Sequence, residues 1–235
     1  MQTSGSSSES VLTGASVWIV VPAKDEESTI GHVVAELAQG EWVVLVVDDG
    51  SVDRTGMVAK MAGAIVLRHA VNLGQGASLQ TGFDYARRRD ASVLVTFDAD
   101  GQHAPTDIPT LLQALDSGCD VVLGSRFLGE IVGASWLRRI FLRVAVKVSN
   151  RLSGMTLSDA HCGIRAIRAS ALDQLTLTQD RMAHASELLK KLGRTDLVVV
   201  EVPVAVRYTQ YSSSRGQGLT QALRVLFDLM FNRSL

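Results

Sequence analysis

The sequence is poor in cysteine, proline and aromatic residues, and its net charge is close to zero. It has 235 residues, with 2 Cys, 4 Pro, 5% aromatic residues and a formal net charge of −1. Cys119 and Cys162 lie far apart and outside any CxxC or Cys/His cluster, which argues against a disulfide framework or a zinc site and suits a reducing compartment. So small a net charge gives no overall attraction to nucleic acid, and no nucleic-acid partner is expected.

Long apolar runs are also missing. No stretch approaches the roughly 18 apolar residues of a spanning helix, and the longest candidates, residues 42–47 and 197–206, are of strand length. Residues 1–16 are rich in Ser and Gly and lack the charged start and apolar centre of a signal peptide, so they are expected to form a disordered tail. We expect that the chain does not cross a membrane by itself.

The chain does contain a regular alternation of strand and helix patterns. Strands are predicted at residues 17–21 (ended by Pro22), 42–47, 65–67, 93–97, 121–123 and 197–206. Helices are predicted at residues 26–38, 53–62, 76–89, 106–116, 136–151, 183–192 and 219–231, and residues 159–167 are expected to be irregular. Such alternation predicts one α/β domain with a mostly parallel, right-handed sheet. The predicted organisation is a tail at 1–16, a domain at 17–210, and a loop with an amphipathic C-terminal helix at 211–235.

Carboxylates follow two of the apolar strands. Asp48 and Asp49 end the first, Asp98 and Asp100 end the second, and a glycine follows each pair. These positions fall at the carboxyl ends of strands, where open α/β sheets bind ligands. Carboxylates packed this closely repel one another, so they need a cation or hydrogen-bond donors. The economical explanation is a nucleoside-diphosphate substrate carried by a divalent metal.

The Asp98-Ala-Asp100-Gly-Gln102 segment is the sharper of the two signals. Gly101 permits a turn that brings both carboxylates to one side, and Gln102 adds a neutral oxygen. Mg²⁺ or Mn²⁺ prefers this set of oxygen ligands, with phosphate oxygens completing the shell. His103 is expected to face solvent or to contact a ligand rather than to bind the metal itself.

A glycine-containing segment at residues 72–78 precedes a predicted helix. It lacks the third glycine of a dinucleotide-binding loop and follows the third strand instead of the first. Gly76 is therefore placed either at a helix N-terminus near a diphosphate or in a turn of structural use alone.

Together these motifs resemble the family 2 glycosyltransferases of the GT-A fold. The segments that carry the resemblance are Pro22-Ala-x-Asp25-Glu26, Asp48-Asp49-Gly-Ser-x-Asp53-x-Thr55, Asn72-x-Gly74-x-Gly76, Asp98-Ala-Asp100-Gly-Gln102, Gly124-Ser-Arg126-Phe127, Asp159-x-x-Cys162-Gly-Ile-Arg165, Glu187 and Glu201-Val-Pro203. They are most similar to the polyprenyl-phosphate sugar synthases, the branch of dolichol-phosphate mannosyltransferase. The resemblance covers about residues 17–210.

The resemblance implies roles for particular residues. It places Pro22, Asp25, Glu26, Asp48, Asp49 and Gly76 at the nucleotide. It implies that Asp98, Asp100 and Gln102 hold the metal and the diphosphate. Arg126, with Arg139 and Arg143 from the following segment, is expected to hold the acceptor phosphate. One departure is Lys24-Asp25, where the family usually shows an aromatic or aliphatic residue followed by Asn.

Two segments suggest a membrane surface. Arg139, Arg143, Lys147 and Arg151 follow i, i+4 spacing in an otherwise apolar helix, and residues 219–231 form a second amphipathic pattern. The alternatives are ordinary surface packing for the first and a packed terminal helix for the second. The loop at 208–217 resembles short bacterial members that work beside a small integral-membrane protein. We expect a cytoplasmic protein, peripheral to the inner face of the membrane.

The mechanism depends on the acceptor. A polyprenyl phosphate is already an anion, so it can attack the anomeric carbon without a strong base and invert it in one displacement. The sequence contains no compelling Ser/His/Asp or Cys/His set. A saccharide or glycolipid hydroxyl acceptor would need a base, for which Asp159 is the candidate. A third alternative is a catalytically silent subunit that binds a sugar nucleotide.

Overall fold

The computed structural model describes residues 14–177 and 183–208. The strands are β1 (Val17–Ala23), β2 (Val43–Asp48), β3 (Ile65–Arg68), β4 (Val93–Thr96), β5 (Val121–Val132), β6 (Arg165–Arg168) and β7 (Val199–Arg207). The helices are α1 (Ile30–Leu37), α2 (Thr55–Met61), α3 (Gln75–Arg87), α4 (Ile108–Asp116), α5 (Trp136–Ser153) and α6 (Ala183–Leu192), with 3-10 turns at Pro105–Asp107 and Ala169–Gln174.

The strands form one seven-stranded sheet in the order β3-β2-β1-β4-β6-β5-β7. All neighbouring strands are parallel except β6, which runs antiparallel to both β4 and β5. β1, β2 and β4 are almost wholly apolar and buried, as expected for strands covered on both faces. The predicted single α/β domain with a mostly parallel sheet is confirmed.

Helices cover the sheet on both faces. α1, α2 and α4 bury Ile30, Ala59 and Leu111 in one apolar cluster. α3, α5 and α6 bury Phe83, Val146 and Leu189 in a second cluster on the opposite face. The parallel arrangement of β1, β2 and β4 brings the segments that follow them to one edge, where the candidate site lies.

Three strand predictions need correction. β1 does not end at Pro22 but continues to Ala23, because a parallel strand can pair through the carbonyl of proline. β5 runs for 12 residues instead of three, since β7 pairs with both halves of it across an irregularity between Ser125 and Glu130. β6 falls within the stretch expected to be irregular. It is only four residues long, and its strand conformation is fixed by two neighbours distant in sequence.

α5 is the helix predicted at residues 136–151, and it extends two residues further. The Ser135 side chain caps its start by accepting from the Arg138 backbone N–H, and Gly154 ends it in the left-handed conformation. The C-terminal helix predicted at residues 219–231 lies outside the described residues.

Candidate functional site

The loops after β1 and β2 are joined by backbone-to-side-chain hydrogen bonds. The Asp25 N–H donates to Ser51 Oγ over 2.9 Å, and the Val52 N–H donates to Asp25 Oδ1 over 2.8 Å. The Glu26 N–H donates to Thr55 Oγ1 over 2.7 Å. Asp25 has a φ of 53°, a conformation that Asn and Asp adopt most readily among non-glycine residues. An aspartate can therefore stand where the family usually has asparagine, since both supply the oxygen that Val52 uses.

Asp48 and Asp49, predicted to contact the nucleotide, are both buried. Asp48 Oδ1 accepts from the Ser51 N–H over 2.9 Å, while Oδ2 lies 3.6 Å from the Arg68 guanidinium and accepts no hydrogen bond from the described residues. Asp49 accepts from the Leu73 and Gly74 N–H groups over 2.9 and 2.8 Å. The structure therefore places both carboxylates beneath the loops at this edge.

His69 completes the surroundings of Asp49. Its Nδ1 lies 2.8 Å from Asp49 Oδ1, and its Nε2 lies 3.0 Å from Thr81 Oγ1 on α3. Burial raises the pKa of Asp49, but hydrogen bonds from His69, Leu73 and Gly74 outweigh it, and the pKa lies below its usual value. Asp49 thus fixes the loop that leads into α3.

The start of α3 lies beside the second pair of carboxylates. Gly74, with a φ of 100°, precedes the helix, and Gly76 is buried in its first turn. The Gln75 side chain donates to Asp98 Oδ1 over 3.4 Å. Gly76 thus lies at a helix N-terminus, one of the two positions expected for it, whereas its contact with a diphosphate stays a prediction.

Asp98, Asp100 and Gln102 come together after β4. The Gln102 backbone N–H donates to Asp100 Oδ1 over 3.0 Å, and its side-chain amide donates to Oδ2 over 2.5 Å. Burial, followed by the charge of Asp98, raises the pKa of Asp100 to about 6. The two carboxylates, both half-buried, form an anionic centre.

His103 contacts this centre from beneath. Its side chain is buried, its Nε2 lies 3.3 Å from Asp98 Oδ2, and its ring packs edge-on against Phe97. The Gln102 carbonyl accepts from the Arg207 N–H over 2.9 Å, which ties the motif to β7. Of the two roles expected for His103, solvent exposure is wrong, while its contact with Asp98 is observed and a role beside a metal ligand stays a prediction.

The anionic centre fits a divalent cation only in part. No group of three or more His, Cys, Asp or Glu side chains suited to a metal occurs within residues 14–177 and 183–208. Asp98 and Asp100 nevertheless repel one another, as the raised pKa of Asp100 shows. A divalent cation would relieve that repulsion, and oxygens of a bound substrate could complete its shell. The residues present therefore fit a cation that arrives with its substrate.

Gly163 is a close neighbour of Asp98 that the sequence did not assign a role. A Cβ atom at position 163 would overlap the Asp98 carboxylate. The Thr96 hydroxyl donates to the Gly163 carbonyl over 2.6 Å, which holds the two segments together. Only glycine permits this approach without displacing Asp98. The Cys-Gly-Ile-Arg motif marks Gly163 in the sequence, but it does not indicate the contact with Asp98, which lies 65 positions away.

Arg126 lies in a buried network instead of on an open surface. Its Nε donates to Asp159 Oδ2 over 2.6 Å, Nη1 to the Tyr208 hydroxyl over 2.7 Å, and Nη2 to the His161 carbonyl over 2.7 Å. Burial lowers its pKa, but Asp159 and other neighbours more than compensate, and the pKa lies above its usual value. Three of its five N–H donors are thus used by described residues.

Glu201 fixes the segment that carries Asp159. Its carboxylate accepts from the Ser158 N–H over 2.7 Å, from the Ser158 hydroxyl over 2.9 Å and from the Asp159 N–H over 3.0 Å. Glu201 belongs to the motifs that carry the family resemblance, but the sequence predicts no role for it. Its partner Asp159 lies 42 positions away, and no residue near Glu201 in the sequence indicates that contact.

Three basic side chains of α5 contact residues other than Arg126. Arg139 donates to the Ile131 carbonyl over 2.9 Å, and the Arg143 guanidinium lies 5.7 Å from the centre of the Phe127 ring. Arg138 lies nearest the network, because its guanidinium is 4.1 Å from the centre of the Tyr208 ring. The contacts of Arg139 and Arg143 are thus with other residues, while Arg138 lies next to Tyr208, a hydrogen-bond partner of Arg126.

The exposed face of α5 combines these cations with apolar side chains. Trp136, Leu137, Ile140 and Val144 are 43–68% exposed, and Arg139, Arg143, Lys147 and Arg151 are exposed alongside them. We call these eight residues the α5 face. No helix within the described residues is long and apolar enough to span a bilayer.

Sequence comparison places the chain among known transferases. The model of "Glycosyl transferase family 2" matches residues 18–176. The chain is 34% identical over 92% of its length to an uncharacterized protein of Methanocaldococcus jannaschii, of which it covers 92%. It is 32% identical over 85% of its length to polyprenol monophosphomannose synthase of Mycolicibacterium smegmatis, covering 80% of that protein. It is 30% identical over 91% to a UDP-N-acetylglucosamine–dolichyl-phosphate N-acetylglucosaminyltransferase of Methanococcus voltae, covering 94%.

Structural comparison confirms the fold. The structure is similar to glucosyl-3-phosphoglycerate synthase of Mycobacterium tuberculosis in complex with Mn²⁺, UDP-glucose and phosphoglyceric acid. The TM-score is 0.68 at 20% identity, and the match covers 93% of this chain and 79% of that one. The GT-A fold expected from the motifs is thereby confirmed.

Proposed function

Since this chain belongs to glycosyl transferase family 2, we propose that it transfers a sugar from a nucleoside-diphosphate sugar to a polyprenyl phosphate, with inversion, at a membrane surface. The enzyme class is confirmed by the family and by the named relatives, so a catalytically silent subunit has no support. Two of those relatives are named for polyprenol or dolichyl phosphate, which favours a lipid phosphate as acceptor here too.

The observation that carries the proposal is the state of Asp159. A hydroxyl acceptor needs a general base with a free carboxylate oxygen near the reacting centre. Asp159 Oδ2 accepts from both the backbone N–H and Nε of Arg126, and Oδ1 accepts from the His161 N–H. Both carboxylate oxygens of Asp159 therefore accept hydrogen bonds within the buried network, which disfavours Asp159 as a general base. An acceptor that is already ionised does not require a base.

The donor site is proposed at the carboxyl ends of β1, β2 and β4. Asp98, Asp100 and Gln102 would hold Mg²⁺ or Mn²⁺ together with the diphosphate, and Pro22, Asp25 and Glu26 would line the base and ribose pocket. When bound, the cation offsets the negative charge that develops on the departing nucleoside diphosphate. Gln75 and His103 contact the Asp98 carboxylate and would hold it in place beside the cation. Asp48 and Asp49 support the loops that shape it.

The acceptor phosphate is proposed to bind near Arg126. Two of the five N–H donors of Arg126 have no hydrogen-bond partner among the described residues, and the other three hold the guanidinium rigidly. A phosphate oxygen of the lipid would attack the anomeric carbon, form the new C–O bond and break the bond to the diphosphate. No proton has to be removed from the attacking oxygen. Arg139 and Arg143 on the α5 face would attract the head group at longer range.

The membrane location is proposed from the α5 face. Exposed Trp136, Ile140 and Val144 can enter the head-group region, while Arg143 and Lys147 meet anionic lipids. A lipid acceptor requires the enzyme to work there, and we place it at the cytoplasmic face of the cell membrane. The expected contact with a small integral-membrane protein concerned residues 208–217, which lie outside the described residues apart from Tyr208.

The test is a transfer assay on a panel of radiolabelled UDP-sugars and GDP-sugars with undecaprenyl phosphate or dolichyl phosphate. We expect label in a lipid-linked product for one donor, and none with the matched alcohols undecaprenol and dolichol. Asp100→Asn serves as the inactive control. Transfer to the alcohols or to free saccharides, with no transfer to the phosphates, would contradict the proposal.

A further inference from the structure

Tyr208 contacts two arginines that belong to different elements. Its hydroxyl accepts from Nη1 of Arg126 on β5 over 2.7 Å, and the guanidinium of Arg138 on α5 lies 4.1 Å from the centre of its ring. The direction of the hydrogen bond is fixed, because a guanidinium has no acceptor atom. The second contact is within the range of a cation–π interaction. Tyr208 therefore connects the buried Arg126 to the first turn of α5.

The main chain of Tyr208 is fixed as well. Its N–H donates to the Val132 carbonyl over 2.9 Å. Its carbonyl lies against Gly133, which has a φ of 78°, and a Cβ atom at position 133 would come within 2.7 Å of that oxygen. Val132 and Gly133 lead directly to Ser135, the residue that caps the start of α5. The backbone of Tyr208 and its ring are thus both held at the beginning of this helix.

A second partner of Arg126 leads to the same helix. The His161 carbonyl accepts from Nη2 of Arg126 over 2.7 Å, and Nε2 of the His161 ring lies 3.0 Å from Ser149 Oγ on α5. Arg138 and Ser149 are about three helical turns apart. α5 therefore contacts partners of Arg126 at two separate points along its length.

The contacts of Arg126 leave a distinct task to Tyr208. Asp159 accepts from Nε and the His161 carbonyl from Nη2, whereas Tyr208 accepts from Nη1. The guanidinium is planar, and a phosphate that binds it through two parallel N–H groups requires that plane to face the phosphate. Without the contact at Nη1, the plane would be held along one side only. The Tyr208 hydroxyl thus sets the orientation of the group.

We propose that Tyr208 is a positioning residue that holds the Arg126 guanidinium in the plane required for the acceptor phosphate, and that Arg138 acts through Tyr208 without contacting that phosphate. The role of the phosphate rests on the proposed function, whereas the connection from Arg138 through Tyr208 to Arg126 rests on the contacts described above. Because α5 carries this connection, binding of the α5 face to lipid and alignment of Arg126 are coupled.

The first experiment measures transfer to a short-chain prenyl phosphate that dissolves without vesicles. This acceptor removes membrane attraction from the measurement, so a cation that only attracts lipid has no effect on it. We expect Tyr208→Phe and Arg138→Ala to raise the apparent KM for the acceptor by about fivefold, the effect of losing one anchoring contact, while the KM for the donor stays the same. Tyr208→Phe keeps the ring beneath Arg138, so its effect isolates the hydroxyl.

A combined variant tests whether Arg138 acts through Tyr208. In a Tyr208→Leu background, Arg138→Ala should cause no further rise in the KM for the acceptor, because its route to Arg126 is already lost. Arg138→Lys should retain most of the parent's affinity, since it keeps a cation for the ring. Independent effects of the two changes would mean that Arg138 contacts the acceptor itself, which would overturn its assigned role.

Tyr85 and Arg89 provide the matched control. The Arg89 guanidinium lies 3.6 Å from the centre of the Tyr85 ring on α3, so this pair repeats the stacking contact away from Arg126. Tyr85→Phe and Arg89→Ala should leave the KM values for donor and acceptor unchanged. Circular dichroism of every variant would verify that the chain stays folded.

The second experiment needs no substrate. Nuclear magnetic resonance of the full chain with ¹⁵N-labelled arginine follows rotation of the Arg126 guanidinium about its Nε–Cζ bond. We expect Tyr208→Phe to accelerate this rotation by about fivefold, because one hydrogen bond that opposes it is lost. Tyr85→Phe should leave the rotation unchanged.

The two experiments separate the proposal from the proposed function. Unchanged rotation in Tyr208→Phe, or an equal rise in the KM values for donor and acceptor, would overturn the positioning role. If the parent transfers sugar to no prenyl phosphate, the proposed acceptor is wrong, while the rotation measurement still decides whether Tyr208 holds Arg126.

Discussion

The Arg126 guanidinium and the Asp159 carboxylate form a buried ion pair, with 2.6 Å between Nε and Oδ2. The same carboxylate oxygen accepts from the Arg126 backbone N–H, so the pair is joined at two points. This relationship makes Arg126 a structural residue as well as a candidate ligand for the acceptor. It also removes Asp159 from consideration as a free base.

The first prediction concerns that pair. Arg126→Met should destabilise the protein by about 3–5 kcal/mol, because it leaves the Asp159 charge buried without its partner. The double variant Arg126→Met/Asp159→Leu should recover most of that loss. Urea unfolding of the two single variants and the double variant gives the coupling energy. Additive losses in the double variant would mean that the pair does not stabilise the fold as described.

The second prediction concerns Asp100. Asp100→Asn should raise the barrier to transfer by about 3 kcal/mol, roughly a hundredfold in rate, because a charge at the diphosphate is lost. Stability at pH 7 to 8 should stay equal or rise, since the variant no longer buries a repelled carboxylate. Exposed Asp196→Asn is the control and should change neither quantity. Full activity of Asp100→Asn, or of the parent in excess EDTA, would refute the metal assignment.

A third prediction follows from the raised pKa of Asp100. Its pKa is about 6 when folded, against 3.8 as the reference for an exposed aspartate. The folded state therefore binds a proton more tightly, and the resulting stabilisation is complete below about pH 4 and disappears as the pH rises through 6. The effect is on the order of 2–3 kcal/mol. Urea unfolding of the parent and of Asp100→Asn between pH 4 and 8 should show this difference, and parallel profiles would contradict it.

The fourth prediction concerns Gly163. Gly163→Ala should displace the Asp98 carboxylate, since the added methyl group overlaps it. We expect a loss of Mn²⁺ affinity and of transfer, together with a loss of stability of about 1–3 kcal/mol. Adding Asp98→Ala should restore stability but not Mn²⁺ binding, because it removes the overlapping atoms. If the second change restores no stability, the strain lies elsewhere.

The fifth prediction concerns the α5 face. Arg143→Glu/Lys147→Glu should weaken sedimentation with anionic phospholipid vesicles, and the difference should shrink as salt is added. The control Arg88→Glu/Arg89→Glu makes the same change in net charge on exposed residues after α3, at the edge where β4 begins. Circular dichroism would verify that both variants stay folded. Equal losses in the two variants would show that net charge alone governs binding.

Local patterns were sufficient to predict most of the fold. Buried strands such as β2 and β4 are nearly continuous apolar runs; β2 ends at Asp48, and β4 ends two residues before Asp98. α5 was predicted from its apolar spacing, and its start and end differ from the prediction by at most two residues. These features depend on residues close together in the sequence. β6 could not be found in this way, since its pairing with β4 and β5 involves residues more than 40 positions distant.

The sequence by itself determined the family, the α/β alternation and the concentration of acidic residues at one edge of the sheet. Only the tertiary structure decided what each carboxylate does. Asp49 and Asp98 each follow a buried parallel strand. Asp49 accepts hydrogen bonds from the Leu73 and Gly74 N–H groups, whereas the charge of Asp98 acts on Asp100 and raises its pKa. The physical reason is that a buried carboxylate must accept hydrogen bonds from the donors near it in the folded protein, and those donors belong to segments distant in the sequence.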